Sequence, residues 1–281
     1  MKPKVILLAS DLSCRTDRAL DRSAQLASEW GARLVVAHAL GDPPDPAVLP
    51  PGSRAKDPIQ TAMERVAADL VGFSGLDIEV IVDRGDPAPV ILEAIERTGC
   101  GLAVTGVARD ETLGRFLLGT TVEKIARRAG VPVLVVKSRP RGPYRKVIVA
   151  TDFSPGSRVA LDTVSAWMPQ ADIRLFHAYD PAYEGLVDDR EALREAARIR
   201  AEEEAREFLA AVPDQGSIPA DLGHGVPEEA VPDWAWANRA DLVALGSVGR
   251  SRLADLMLGS VAYKLLQSVP VDVLVAPRPR D

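Results

Sequence analysis

A chain of 281 residues is long enough for one large domain or two of ordinary size. With 34 Lys and Arg against 40 Asp and Glu, the formal charge is −6, so the broad basic excess of a general nucleic-acid binder is missing. Hydrophobic content of 47% and charged content of 26% exclude wholesale disorder, and no apolar run nears the roughly 20 residues that cross a bilayer.

Taken in chain order, Val5–Ala9 is too short for a signal peptide and reads as the first strand. Strands are predicted near 4–10, 33–39, 77–83, 101–106 and 132–137, with helices near 15–30, 58–72, 87–98 and 119–129 between them. The proline-rich stretch from Gly41 to Pro58 reads as an extended surface loop. Residues 138–145 carry the charges and prolines of an inter-domain linker. The series then begins again, with strands near 145–151, 172–179, 216–222, 241–246 and 271–276. A long helix over 188–211 carries Leu193, Ala197, Ala201, Ala205 and Phe208 on one stripe and Glu202 with Arg206 at ion-pair spacing, the pattern of a solvated packing helix.

The second series is a copy of the first. Val5–Asp11 reappears as Val147–Asp152, Leu34–Ala39 as Arg174–Ala178, and Gly85-Asp86-Pro87 as Gly225-Val226-Pro227, while Gly106 and Gly119 reappear as Gly246 and Gly259, always at an offset of about 140 residues. Two tandem domains follow, residues 1–138 and 145–281. Apolar strands alternating with helices make each an α/β domain: an open, doubly wound, Rossmann-like parallel sheet of five strands.

The chemistry concentrates between Ala244 and Ala262. A strand ends in Gly246, Gly249 follows after two residues, Gly259 after nine more, and Ser260 opens a helix. Glycines at a strand's carboxyl end allow positive φ and let backbone N–H groups approach an anion. A helix start adds free N–H groups, its dipole and a hydroxyl, all of which favour phosphate oxygens. Two turn glycines and a serine cap would account for the same residues without a ligand. Asp11 and Asp152 carry the same ambiguity. Ser13 and Ser154 are the better caps, Ser154 with Pro155 at the first helical position, and that releases the aspartates toward a ligand.

The pattern Gly246-x2-Gly249-x9-Gly259-Ser260, the aspartate after the first strand and the repeated α/β series resemble the universal stress protein family over nearly the whole chain. In that family the glycine pattern marks members that bind ATP. The resemblance implies that Asp152 faces the adenosine, that Ala178 lies beside the adenine, and that Gly246, Gly249, Gly259, Ser260 and Val261 hold the phosphates. Ser247 and Arg250, inside the loop, add a hydroxyl and a cation by their spacing alone. The first copy departs from the pattern, because Arg109 stands where the second glycine belongs. Its side chain either blocks approach to the backbone or supplies a phosphate contact of its own. Loss or weakening of binding is the expectation, with Asp11, Ala39, Gly106, Gly119 and Thr120 as the candidate residues.

The resemblance implies a cytoplasmic, ATP-binding regulator of the stress response, with or without Mg²⁺ on the phosphates. It also implies pairing through last strands, here Val133–Val136 and Val271–Val275, a further homodimer, and a protein partner the sequence does not name. Neither nucleic acid nor membrane is expected as a partner. A nucleotide-indifferent interaction scaffold and a slow ATP hydrolase are the alternatives. No general base is evident beside the loop, and the lysine of a P-loop is missing. His38, His177 and His224 form no catalytic or metal pattern; the first two occupy equivalent strand ends. Cys14 and Cys100 have neither disulfide nor metal-ligand spacing, and Cys14 reads as a small buried thiol.

Overall fold

A computed structural model of the chain describes residues 1–13, 16–41, 57–110, 115–181, 188–211, 218–247, 249 and 258–278, with the backbone alone at 108–110 and 115–117. The chain divides into two compact units, residues 1–109 with 117–142 and residues 110–116 with 143–281.

The chain runs first through β1 (Val5–Ser10), α1 (Asp17–Trp30), β2 (Arg33–Leu40), α2 (Pro58–Asp69), β3 (Ile78–Arg84), α3 (Pro87–Thr98), β4 (Leu102–Gly106), the short strands β5 (Ala108–Asp110) and β6 (Arg115–Leu117), which form a two-stranded sheet of their own, then α4 (Thr120–Arg128) and β7 (Val133–Val136), the other elements belonging to the first unit. The main sheet order of that unit is β7-β4-β1-β2-β3, and every pairing is parallel. The second unit runs β8 (Lys146–Ala150), α5 (Pro155–Trp167), β9 (Asp172–Tyr179), α6 (Arg190–Ala210), β10 (Ala220–His224), α7 (Pro227–Ala237), β11 (Leu242–Gly246), α8 (Ser260–Ser268) and β12 (Asp272–Ala276). It repeats the order as β12-β11-β8-β9-β10, again parallel throughout.

The buried strands explain why the sheets are central. Leu102–Thr105, Val133–Val136 and Leu242–Leu245 are buried at every position, so both of their faces are covered. Such runs suit a parallel sheet sandwiched between helices. In each unit the chain leaves its first strand in one direction and returns to its other side with the fourth. That reversal opens a crevice at the strands' carboxyl ends, between β1 and β4 and between β8 and β11.

Several local expectations change. The α2 helix stops at Asp69, and a short 3₁₀ turn, Val71–Phe73, follows where continuous helix to residue 72 is predicted. Strands β5 and β6 have no counterpart in the sequence reading. The stripe on α6 is buried only in its second half, at Ala201, Ala205 and Phe208. On its outer face Glu202 is engaged by Arg198, one turn earlier. Ser154 caps α5 through its Oγ, with Pro155 next, but Ser13 does not cap α1. That helix begins later, with Thr16 at the N-cap and no side-chain cap bond, and Ser13 turns its hydroxyl onto Asp11 instead.

Tyr144, before the first strand of the second unit, is only 6% exposed, and its hydroxyl donates to Oδ2 of the fully buried Asp272 at 2.6 Å. The phenol thereby ties the start of that unit to its last strand, β12.

Candidate functional site

Each unit opens a cavity at its crevice, of about 460 Å³ in the first and about 370 Å³ in the second. Both lie within the range of about 300–1,000 Å³ common to small-molecule sites. Asp152, Ala178, Gly246, Gly249, Gly259, Ser260 and Val261 line the second cavity. Asp11, Ala39, Gly106 and Gly119 line the first, where Thr121 rather than Thr120 stands on the wall. Arg250, Cys14 and most of the proline-rich loop lie outside the described residues, as does the side chain of Arg109. Ser247 is buried. Its N–H donates to the Ala276 carbonyl at 2.9 Å and its carbonyl accepts from Gly259 N–H at 2.9 Å, so its backbone ties the loop to β12 and to the start of α8.

The motif glycines are small for a reason other than the one their sequence suggests. Neither Gly246 nor Gly259 adopts positive φ. Gly246 lies against the first turn of α5, where an added Cβ would sit 2.7 Å from the carbonyl carbon of Gly156, and backbone cannot yield there. At Gly249 an added Cβ would come 2.5 Å from Oδ2 of Asp152, so this glycine makes room for the first-strand carboxylate. A Cβ at Gly259 would have only ordinary neighbours, the nearest being Ser247 O at 3.6 Å.

Both aspartates sit on the same kind of turn. Oδ1 of Asp152 accepts from Ser154 N–H at 3.1 Å and Ser157 Oγ at 2.8 Å. Oδ1 of Asp11 accepts from Ser13 N–H at 3.0 Å, Ser13 Oγ at 2.6 Å and Thr16 Oγ1 at 3.2 Å. One oxygen of each carboxylate therefore organises its own turn, even though the side chain lines a cavity.

The helices α4 and α8 begin on the cavity walls with no side-chain cap. The amides of residues 260–262 precede the first intrahelical bond, Tyr263 N–H to Gly259 O at 2.9 Å, and such orphan donors attract anions. The two helices differ in charge: α4 carries Glu123 in its first turn, whereas the first turn of α8 carries no acid. A negative side chain there opposes a bound anion. Each helix is also tied to the one before it, by Lys124 to Asp86 at 3.6 Å and Lys264 to Glu228 at 2.8 Å. The hydrogen bond from Lys264 holds the Glu228 carboxyl below the usual carboxylate range.

Two kinds of wall residue escaped the sequence reading. His38 and His177, explained in the sequence by their equivalent places in the repeat, each line the cavity of their own unit. Phe176, on β9, is a wall residue of the second cavity alone. The signal for the histidines was their equivalence in the repeat; Phe176 offered none, since Ala37 precedes His38 in the first copy.

Among the described residues no group of three or more His, Cys, Asp or Glu is arranged to hold a metal ion, and no helix is long and apolar enough to cross a membrane. Cys100 is buried beside β4, and burial pushes its thiol up to about 11. Because the thiolate is the reactive form, iodoacetamide at neutral pH should leave Cys100 unmodified in the folded chain and alkylate it after denaturation. Peptide mass spectrometry reads the difference, and rapid labelling of the folded protein would contradict it.

The universal stress protein family profile matches residues 3–137 and again 143–277. The chain belongs to the universal stress protein family, as a tandem member with two such domains. A universal stress protein of Mycolicibacterium smegmatis is 28% identical over 98% of this chain and 97% of its own length. One from Thermus aquaticus is 33% identical over 48% of this chain and 98% of its own length. Among solved structures, a universal stress protein from Archaeoglobus fulgidus shares the fold with a TM-score of 0.67 at 20% identity, covering 98% of this chain and 99% of that one. A functionally unknown protein from Pseudomonas aeruginosa reaches 0.69 at 20% identity, covering 98% of this chain and 92% of its own.

Proposed function

We propose that the protein binds an adenine nucleotide, ATP, with the cavity of the second unit as the principal site, and acts as a nucleotide-responsive regulator. The observation that carries this reading is the uncapped start of α8, opening on the same cavity as Asp152 and Gly246. In this reading the phosphates lie on the amides of residues 260–262, and the apolar wall of Phe176, Val231 and Leu265 takes the base. Asp152 faces the ribose and adenine through the carboxylate that its turn holds in place. Mg²⁺, when it accompanies the nucleotide, is carried by phosphate oxygens.

The first unit keeps the cavity and the aspartate but places Glu123 in the first turn of its phosphate-facing helix, which supports weaker binding there. The reading extends to a cytoplasmic homodimer whose choice of protein partner follows nucleotide occupancy. Mass spectrometry of small molecules carried through purification should find an adenine nucleotide, and calorimetry should show ATP binding that Gly259→Val abolishes. A wild-type chain that neither retains nucleotide nor binds ATP would overturn the reading.

A further inference from the structure

The sequence contains three histidines, and two of them make the same bond in the two repeats. Nδ1 of His38 lies 2.8 Å from the carbonyl oxygen of Ser10, and Nδ1 of His177 lies 2.7 Å from that of Thr151. A carbonyl oxygen only accepts, so each imidazole carries its proton on Nδ1 and donates it. Ser10 and Thr151 are the residues immediately before Asp11 and Asp152.

The turns that follow are strained in the same way. Leu12 has φ 55° and Phe153 φ 61°, and with Arg239 they are the positive-φ residues other than glycine among those described. Such a conformation in a bulky residue persists only where its surroundings over-determine it. Here the N–H of the strained residue donates to the hydroxyl two positions earlier, Leu12 to Ser10 Oγ at 3.1 Å and Phe153 to Thr151 Oγ1 at 2.8 Å. The aspartate Oδ1 binds the next N–H, and the histidine holds the carbonyl at the turn's entrance. The Phe153 ring also packs on the His177 ring, with centroids 4.5 Å apart. The hydrogen bonds and the positive φ recur, without the ring contact, although the neighbouring residues differ, Ser-Asp-Leu-Ser in one repeat and Thr-Asp-Phe-Ser in the other.

We infer that His38 and His177 are positioning residues: each holds the strained turn that presents Asp11 or Asp152 to the cavity. The link to ligand affinity rests on the nucleotide reading above; the link to the turn does not. In the full chain, His177→Ala should speed hydrogen exchange at the Phe153 amide by about tenfold or more, the loss of one local hydrogen bond. It should also weaken ATP binding about tenfold. His177→Asn, whose amide nitrogen can take the place of Nδ1, should restore both. His38→Ala should loosen the Leu12 amide and leave Phe153 unchanged.

An unchanged Phe153 exchange rate in folded His177→Ala, or an Asn variant as loose as the Ala variant, would overturn the inference. If His177→Ala does not fold, His177→Asn against His177→Gln carries the test, because the longer side chain places its amide beyond the Nδ1 position. Equal exchange rates in those two would overturn it. Faster exchange rescued by Asn in a chain that binds no ATP would uphold the positioning role and refute the nucleotide reading.

Discussion

Phe176→Ala is expected to destabilise the second unit by about 3–5 kcal/mol, the usual cost of emptying a buried aromatic site. The ring is 1% exposed and stands 5.3 Å, centroid to centroid, from the ring of Trp234 on α7. It also fills the space over the neighbouring edge strand: a Cβ added at Gly223 would come 2.6 Å from the ring. Phenylalanine and glycine thus share one volume, and Gly223 has no side chain with which to refill the truncated site. Urea unfolding followed by tryptophan fluorescence measures the loss, with Trp234 as a reporter at the site. A change below about 1 kcal/mol would mean the region repacks freely.

Gly246→Ala should cost about 1–3 kcal/mol, because the new methyl group meets the backbone of Gly156 at the start of α5. Either the helix shifts or the end of β11 does, and both movements spread into a buried sheet. Gly259→Ala is the informative partner. It has φ −54° and its nearest neighbour would be 3.6 Å away, so the fold should tolerate it almost unchanged. Denaturant unfolding of the two variants side by side should separate a glycine required by packing from one that is not. Equal stability losses would contradict that assignment.

The contrast shows which parts of the molecule were legible beforehand. Strand-length apolar runs such as Val133–Val136 and Leu242–Leu245 state their own periodicity, and the repeat near 140 residues shows that whatever one half forms, the other forms too. Both sheets follow from those local patterns. Gly246 was recognisable as a marker, but the packing reason for it was not, since its close neighbour, Gly156, lies 90 residues away in sequence and on another element. Ser13 looked equivalent to Ser154, yet the two first helices begin differently: the proline that pre-forms the first turn of α5 has no counterpart in the first copy, where Cys14 stands in its place. The histidines were visible as repeat partners, but a side chain reaching from one strand to the carbonyl at the end of the next leaves no periodic trace.

The phenol–carboxylate contact between Tyr144 and Asp272 bears on how the chain can be cut. By sequence pattern the second repeat begins at the strand after the linker, and residue 145 is a natural place to start a fragment. A fragment begun there would discard the donor that reaches the Asp272 carboxyl and leave that buried acid with one hydrogen bond fewer. The second repeat therefore owns part of the linker, and a separable version of it has to include Tyr144.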